Sequence, residues 1–211
     1  MPSDIPYQDC GDRICIIGGG PGGLCMARAL KRQGLDYEQF ERHSDFGGVW
    51  DLENPGTPMY ESAHFISSRD LSGFLDYPMP KHFPDYPSNR QILEYLRSFA
   101  LAFGLYDKVR FNTPVERVDK DEDGRWIVTL SNGERRRYLA LVCATGFDTV
   151  HLLQSLDIRG RDGTLLAEAW RDGPEAFHGI HVAGFPNMFL MLGPNTATGH
   201  TSTLLYIEPA V

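Results

Sequence analysis

The stretch R-I-C-I-I-G-G-G-P-G-G-L, residues 13–24, decides the fold of this chain. Its first half is apolar and β-branched, which predicts a buried parallel strand over Arg13–Gly18. The glycines of Gly18–Gly23 then have the spacing G-x-G-x-x-G, and a helical stretch, Leu24–Gln33, follows them. Strand, glycine loop and helix in this order form the first half of a dinucleotide-binding βαβ unit.

A second strand ends on an acid, which completes this pattern. Residues 36–41 read D-Y-E-Q-F-E, and Glu41 follows Gly20 by about 20 residues, the spacing that the dinucleotide fingerprint requires. Gly18 permits the tight turn, Gly20 lets the backbone approach a pyrophosphate, and Gly23 lets helix and strand pack closely. The bare amino end of the helix attracts phosphates, and Glu41 can accept hydrogen bonds from a ribose. The pattern occurs once, so the sequence predicts one bound dinucleotide.

Composition narrows the class of protein. The 211 residues make one large domain or two small ones, and 42% of them are hydrophobic, enough for a core. A net charge of −8 argues against a nucleic-acid or anionic-membrane surface. Glycines and a proline break the apolar segment near the amino terminus, so neither a signal peptide nor a membrane span is predicted and the cytoplasm is expected. The four cysteines have no metal-site spacing, so no metal is expected.

The rest of the chain predicts further elements around this unit. Residues 43–87 are irregular, with many prolines and aromatic side chains. Ser88 and Gln91 form a capping box, which predicts a helix to about Phe103 that Gly104 ends. Further strands are predicted at Val109–Asn112, Val115–Asp119, Trp126–Ser131, Tyr138–Ala144, Ile180–Ala183 and Met188–Leu192, with a solvated strand end at Arg135–Arg137 and a last helix from Asn195 to about Ile207.

At this point the residues resemble a family, the flavin-containing and Baeyer–Villiger monooxygenases, which are FAD and NADPH enzymes with two nested Rossmann domains. The resemblance covers nearly the whole chain. Its motifs are Gly18–Gly23, Glu41, G-G-V-W at 47–50, N-P-G-T-P-M-Y-E-S at 54–62, D-Y-P-M-P at 76–80, A-T-G-F-D at 144–148, G-F-P-N at 184–187 and G-P-N-T at 193–196. It implies an α/β fold of the glutathione-reductase type, a Rossmann-like FAD-binding domain with a parallel sheet and a small antiparallel β-meander.

Three departures from the family alter what the resemblance implies. The family carries two A-T-G strand ends with the NADPH domain between them, whereas this sequence has one. The family fingerprint F-x-G-x-x-x-H is absent, and Phe65-Ile66 stands where flavin monooxygenases place Thr-Asn. We therefore expect a single FAD-binding domain over residues 1–211, in which an amino-terminal part, 1–146, is joined to a carboxy-terminal FAD segment, 147–211, where an NADPH domain would sit.

The resemblance also implies which residues hold FAD. The loop holds the pyrophosphate and Glu41 the adenosine ribose, while Arg42 and the backbone of Val115 lie on the adenine side. Near the ribityl chain or flavin it places Gly48, Val49, Trp50, Ala144, Thr145, Gly146 and, at the start of the last helix, Asn195. The full set for the loop is Gly18, Gly20, Pro21, Gly22 and Gly23. His200 is the one acid–base candidate, because histidine titrates near neutrality.

Four functions stay open on the sequence. The preferred one is a minimal FAD-dependent oxidoreductase, monooxygenase-like or oxidase-like, that acts on a small-molecule substrate and takes electrons from a diffusible or separate donor. The others are a non-catalytic or engineered FAD-binding module, a subunit whose partner supplies the NADPH domain, and an NAD(P)-binding protein without flavin. Faces left bare by an absent domain would favour a homo-oligomer or a partner subunit.

Overall fold

The computed structural model describes residues 6–55, 57–146, 153, 156–191, 193–194 and 196. Contacts divide the chain into two compact units, residues 1–146 and 147–211, which we describe separately. The sequence-based expectation of one domain over the whole chain stays a prediction. The first unit contains β1 (Gln8–Asp9), β2 (Ile14–Ile17), α1 (Pro21–Arg32), β3 (Tyr37–Phe40), α2 (Arg69–Ser72), α3 (Asn89–Ala102), β4 (Val109–Arg110), β5 (Val115–Lys120), β6 (Trp126–Leu130), β7 (Arg135–Tyr138) and β8 (Ala140–Cys143).

The βαβ unit forms as the sequence predicts. Strands β2 and β3 pair in parallel, with Ile14 opposite Tyr37 and Ile17 opposite Phe40. Helix α1 begins earlier than predicted, at Pro21, because a proline in the first helical turn has its φ already set and needs no N–H partner. The parallel sheet has the order β4-β3-β2-β8, so the glycine loop leaves from a central strand.

A second sheet contains the meander. Its order is β1-β7-β6-β5, with β5, β6 and β7 antiparallel and β1 parallel to β7. The α/β class with a parallel sheet and a small antiparallel meander is therefore confirmed. The strand predicted at Val109 forms and joins the parallel sheet through β3. The solvated strand end predicted at Arg135–Arg137 was wrong, because Arg135–Tyr138 is a strand of the meander.

The arginines of β7 are not a solvated strand end. The side chains of Arg136 and Arg137 are only 14% and 11% exposed. Arg136 pairs with Glu38 at 2.9 Å, and Arg137 pairs with Asp121 at 2.6 Å. A buried guanidinium is stable only when it is paired in this way, so the charge run is an internal ion network between the sheets.

The main core lies between the parallel sheet, α1 and α3. Helix α3 begins with the predicted capping box, in which Ser88 and Gln91 bond to each other's backbone N–H groups. Past its end, Gly104 has a left-handed φ of 60°. The helix buries one face against α1 and the loops that follow β3. The fully or nearly fully buried members of this core include Leu24, Phe46, Ile92, Leu96, Phe99 and Leu105.

The second unit is described over residues 153, 156–191, 193–194 and 196. It has one short helix, α4 (Leu166–Ala169), and a small apolar cluster of Leu166, Trp170, Val182 and Phe185. The strands predicted at Ile180–Ala183 and Met188–Leu192 are wrong for the described residues there, which form only isolated bridges at His181 and Phe189. A turn from Val182 to Phe185 interrupts the extended backbone. Among the residues that the structure describes, no helix is both long and apolar enough to cross a membrane.

Candidate functional site

The glycine loop joins β2 to α1, and two of its glycines are required by the protein itself. Gly18 has a φ of 109°, which L side chains rarely adopt, and a Cβ there would overlap the carbonyl oxygen of Ala144. A Cβ on Gly23 would overlap the carbonyl oxygen of Gly18. These two glycines let strand, helix and β8 approach closely, so their absence of side chains is explained by packing alone.

The other two predicted glycines are not required by packing. A Cβ on Gly20 would meet nothing nearer than the Cα of Gly48, at 3.5 Å, which is ordinary van der Waals contact. A Cβ on Gly22 would meet only the Cβ of Ala144, at 4.0 Å. Their surroundings therefore leave room for a side chain, so packing does not explain the bare backbone at this end of the helix.

The amino end of α1 is suited to an anion. Gly20 is the N-cap and supplies no side-chain hydrogen bond, and the first turn contains no acidic residue. The N–H groups at the start of a helix lack intrahelical partners, and the aligned peptide dipoles give this end a partial positive charge. Bare backbone at Gly20 and Gly22 leaves these donors accessible to a phosphate.

Glu41 lies directly against the loop. One carboxylate oxygen accepts a hydrogen bond from the N–H of Gly19, and the other accepts one from the N–H of His43 at 2.8 Å. The residue is only 6% exposed. Each carboxylate oxygen can accept more than one hydrogen bond, so the side chain keeps acceptor capacity for a ribose. The contact with Gly19 was not predicted, and the ribose role of Glu41 stays a prediction.

A second glycine turn forms the opposite wall of the site. Gly47 has a φ of 152° and donates its N–H to the carbonyl oxygen of Gly19 at 3.1 Å. Gly48 has a φ of 60°, and a Cβ there would come within 2.8 Å of the Cα of Gly20. The turn continues as a short 3₁₀ helix, Gly48–Trp50. We call the Gly18–Gly23 loop and the Gly47–Gly48 turn together the cradle.

The remaining predicted site residues lie around the cradle or outside the described part of the chain. Val49 is 44% exposed, and Trp50 contacts Phe65 edge to face, with ring centroids 5.4 Å apart. The segment before Val115 is attached to the carboxyl end of β3, because Thr113 donates its N–H to the carbonyl oxygen of Glu41 at 2.9 Å. Arg42, Thr145 and Gly146 are exposed, and Ala144 and Val115 are half-buried. Asn195 and His200 lie outside the described residues.

Two buried amides that the sequence did not single out hold the cradle from behind. Gln39, fully buried, donates from Nε2 to the carbonyl oxygen of Gly18 at 2.8 Å. Asn54, 7% exposed, donates from Nδ2 to the carbonyl oxygen of Gly48 at 3.0 Å. The amide oxygens of both side chains are buried without a partner within the described structure. Alternation along β3 could have placed Gln39 inside, but nothing in the sequence predicts which carbonyl it binds.

Acidic and aromatic side chains continue this support behind the second turn. The hydroxyl of Tyr106 donates to Asp45 at 2.8 Å. Burial, together with this hydrogen bond to a carboxylate, raises the pKa of Tyr106 to about 12, so the phenol keeps its proton at any physiological pH. Asp45 therefore has a permanent donor on Oδ1, and its Oδ2 lies 3.0 Å from Nε of Arg97.

Comparisons with known proteins identify the family of the chain. The model of the family "FMO-like: Flavin-binding monooxygenase-like" matches residues 11–182. Human flavin-containing monooxygenase 5 is 37% identical over 81% of this chain and 34% of its own length, so the chain spans about a third of that relative. The rabbit protein of the same name is 34% identical, over 82% of this chain and 35% of its own.

Solved structures give the same result. An open structure of cyclohexanone monooxygenase superposes with a TM-score of 0.59 at 25% identity, covering 72% of this chain and 30% of the other. S-allyl-L-cysteine S-oxygenase from Allium sativum gives 0.58 at 29% identity, covering 71% and 39%. An oxidised steroid monooxygenase bound to NADP gives 0.56 at 29% identity, covering 64% and 26%.

The chain belongs to the flavin-binding monooxygenase-like family. The predicted family is thereby confirmed, as is FAD as its cofactor.

Proposed function

We propose that residues 1–146 of this chain bind FAD in the cradle, with the pyrophosphate over the amino end of α1. The adenosine ribose lies towards Glu41 and the adenine near Arg42 and the backbone of Val115. The flavin end lies towards Val49 and Trp50. The observation that carries this proposal is the contrast within the glycine loop, where packing requires Gly18 and Gly23 but leaves room at Gly20 and Gly22.

The charge of the site favours FAD over NADP at this position. The carboxylate of Glu41 is fixed beside the loop by the N–H groups of Gly19 and His43. A 2′-phosphate on the adenosine ribose would meet this negative charge, whereas a free 2′-hydroxyl can donate a hydrogen bond to it. The adenosine end of the cradle is therefore selective for an unphosphorylated ribose.

We propose further that the chain is an oxidoreductase that takes electrons from a diffusible or separate donor and acts on a small-molecule substrate. FAD, when bound, supplies the electron-accepting ring, and the protein binds, orients and shields it. Two features support a separate donor: the sequence contains one dinucleotide fingerprint, and Ile66, 59% exposed, replaces the polar asparagine of flavin monooxygenases. An isoleucine side chain cannot donate a hydrogen bond to a nicotinamide.

A Gly20→Val variant tests the FAD site. The isopropyl group would stand where the pyrophosphate approaches, so we expect the affinity for FAD to fall by about 100-fold or more, comparable to the loss of several charge-assisted hydrogen bonds. Flavin absorbance of the purified protein and titration of the apoprotein with FAD measure this loss. Gly20→Ala provides a graded comparison, since its methyl group fits the protein with a contact of 3.5 Å.

Thermal unfolding of the apoproteins is the control for this experiment. The Gly20→Ala variant should unfold at nearly the wild-type temperature, because packing does not require glycine at this position. A Gly20→Val protein that is as yellow as the wild type would contradict the site assignment. Wild-type protein that retains no flavin and binds none on titration would contradict the proposed function as a whole.

Anaerobic reduction of the FAD-loaded protein tests the separate donor. We expect NADPH to reduce the flavin slowly and without saturation at micromolar concentrations, whereas light in the presence of a sacrificial donor reduces it fully. Stopped-flow absorbance at the flavin band follows both reactions. Fast, saturable reduction by NADPH would show that this chain binds the nicotinamide itself. A flavin that is reduced and reoxidised without any substrate turnover would favour the non-catalytic FAD-binding module.

A further inference from the structure

A single guanidinium joins the two ends of the Gly47–Gly48 turn. Arg97, in α3, places Nε 3.0 Å from the carbonyl oxygen of Phe46 and 3.0 Å from Oδ2 of Asp45, just before the turn. Its Nη2 lies 2.9 Å from Oδ2 of Asp51, just after the turn. The forked geometry of arginine allows one side chain to bind both carboxylates at once.

Both carboxylates are themselves fixed. Asp45 also accepts from the hydroxyl of Tyr106 and from the N–H of Phe46, at 2.8 and 2.7 Å. The side chain of Asp51 is 11% exposed, and its other oxygen accepts from the N–H of Glu53 at 3.1 Å. Phe46 between them is fully buried in the core. Arg97 therefore connects two anchored points rather than two mobile surface acids.

The turn between these points has one 3₁₀ turn of its own, with hydrogen bonds from the N–H of Trp50 to Gly47 at 3.2 Å and from the N–H of Asp51 to Gly48 at 3.3 Å. Gly47 and Gly48 are consecutive residues with positive φ, a backbone state that is not favoured over others in a free chain. Only one backbone hydrogen bond, from Gly47 to Gly19, joins the turn to the Gly18–Gly23 loop within the described structure. The distance between the two walls of the cradle therefore depends on the side chains that hold the turn, which are Asn54 at the carbonyl oxygen of Gly48 and Arg97 at the two outer ends.

We propose that Arg97 is a positioning residue for the flavin end of FAD. By fixing both ends of the Gly47–Gly48 turn, it sets the distance of Gly48 from Gly20 and the orientation of the Val49 and Trp50 that follow. The inference rests on the proposed FAD function and adds a residue outside the predicted site. The turn that Arg97 holds would contact the part of the dinucleotide beyond the second phosphate. The Gly18–Gly23 loop and Glu41 do not reach that part.

The charge balance makes this role specific to arginine. Removing the guanidinium leaves the carboxylates of Asp45 and Asp51 without their shared cation, and the two like charges then favour a wider turn. A lysine keeps the charge but offers a single ammonium on a flexible stem, so it can satisfy one carboxylate at a time. We therefore expect Arg97→Lys to have an intermediate effect between wild type and Arg97→Met.

FAD and ADP together separate positioning from general stability. ADP contains the adenosine and both phosphates but nothing that Val49 or Trp50 would contact. In the full chain, Arg97→Met should weaken FAD binding about 10-fold, by analogy with the lower end of what outer supporting partners contribute at metal sites. ADP affinity should change by less than about 2-fold, since supporting effects are local. The circular dichroism of bound flavin in the visible region, which reports its orientation, should also change.

Arg90 provides a matched control on the same helix. It is seven residues before Arg97, so it lies on the same side of α3, and it pairs with Glu61 at the surface through Nε at 2.9 Å. Its side chain is 72% exposed and, in the part of the chain that the structure describes, makes no hydrogen bond to the turn. Arg90→Met should leave the affinities for FAD and ADP and the flavin spectrum unchanged.

The outcomes separate this inference from the proposed function. An Arg97→Met protein that binds FAD as tightly as the wild type would overturn the positioning role and leave the FAD site intact. Equal losses for FAD and ADP, with a lower unfolding temperature of the apoprotein, would show a merely structural residue. Wild-type protein that binds neither ligand would overturn both proposals. If Arg97→Met does not fold, Arg97→Lys and Asp51→Asn give the same comparison, each with a selective loss of FAD expected.

Discussion

The two walls of the cradle are built in different ways. The Gly18–Gly23 loop leaves a central strand of a parallel sheet and enters a helix directly, so backbone pairing on both sides fixes it. The Gly47–Gly48 turn lies in an irregular segment and is held by side chains from residues 54 and 97. The first wall is therefore part of the fold, whereas the second is attached to it.

This difference predicts different consequences of mutation. Changes in the first wall should alter the stability of the whole first unit, because its close contacts include β8 and α1. Changes in the second wall should alter mainly the local turn and the affinity for FAD. This follows because part of a protein can open locally at a free-energy cost well below that of global unfolding. Each prediction below breaks one wall and leaves the other intact.

The largest effect is expected at Gly18. An alanine there would combine a strained φ of 109° with overlap on the carbonyl oxygen of Ala144. We expect Gly18→Ala to lower the free energy of unfolding by about 3 kcal/mol or more, in the range of strained backbone plus overpacking. Urea unfolding of the apoprotein measures it.

Gly22→Ala is the matched control in the same loop. Gly22 lies in the first turn of α1, a Cβ there has room at 4.0 Å, and its φ is not positive. Alanine is favoured over glycine in a helix by about 0.5–1 kcal/mol, so this variant should be as stable as the wild type or more so. If Gly18→Ala and Gly22→Ala lowered the free energy of unfolding equally, packing would require both glycines. The distinction between glycines that packing requires and glycines that leave room for a ligand would then be wrong.

The same difference explains how much the sequence could predict. The roles of Gly18 and Gly23 and the presence of α1 follow from local spacing, because a G-x-G-x-x-G motif between a strand and a helix has a defined geometry. The start of α1 was placed three residues too late, at Leu24 instead of Pro21. The capping box at Ser88 is equally local. By contrast, the contact of Arg97 with Asp45 and Asp51 joins residues about 50 positions apart, and a helical arginine has no sequence feature that names its partner.

Charge composition misled the prediction in one region for a related reason. Three successive arginines indicate a solvated segment, yet Arg136 and Arg137 are largely buried because carboxylates from other elements reach them. Val109 pairs with the parallel sheet rather than with the meander because β3 offers it a free edge. Such pairings depend on the assembled fold, so sequence patterns alone could not supply them.

The buried amides of the two walls give a second, smaller prediction. Gln39→Leu removes the donor to the carbonyl oxygen of Gly18 but also removes an amide oxygen that has no partner. The two effects oppose each other, so we expect a loss of about 1 kcal/mol in the free energy of unfolding. Asn54→Leu removes the corresponding bond to Gly48 and should cost less globally, about 0.5 kcal/mol, because the turn can open locally.

Hydrogen exchange distinguishes these two variants. Gln39→Leu should speed exchange throughout β2 and α1, whereas Asn54→Leu should speed it only in the segment around Gly48. FAD affinity should follow the reverse order, with the larger loss in Asn54→Leu. If exchange rises across the whole unit in both variants, the two walls are equally integrated and the comparison is wrong.

A pH titration of the ion network behind the first wall tests how far charge supports that wall. The carbonyl oxygen of Arg110, in β4, accepts a hydrogen bond from the N–H of Glu41 at 3.0 Å. The guanidinium of the same residue donates two hydrogen bonds to Glu134, at 2.9 and 3.0 Å. Hydrogen bonds from Arg110, and then from Asn132 and Arg136, lower the pKa of Glu134 from its usual 4.5 to about 2. The ionised carboxylate is therefore favoured in the folded state.

The sign of the pH dependence follows from this lowered pKa. The network's contribution is complete above about pH 4.5 and is lost as the pH falls towards 2, because the folded state must then take up a proton that the unfolded chain has already bound. Since the side chain of Glu134 is 40% exposed, solvent screening limits the contribution to about 1 kcal/mol at most.

The free energies of unfolding in urea of wild type and Glu134→Gln should differ by this amount at pH 7 and converge near pH 2. Glu61→Gln, in an exposed pair with Arg90, is the control and should differ from wild type by no more than about 0.5 kcal/mol at any pH. A Glu134→Gln difference that persists unchanged at pH 2 would mean that the charge of the carboxylate does not support the pairing of β3 with β4. Backbone pairing alone would then hold the first wall.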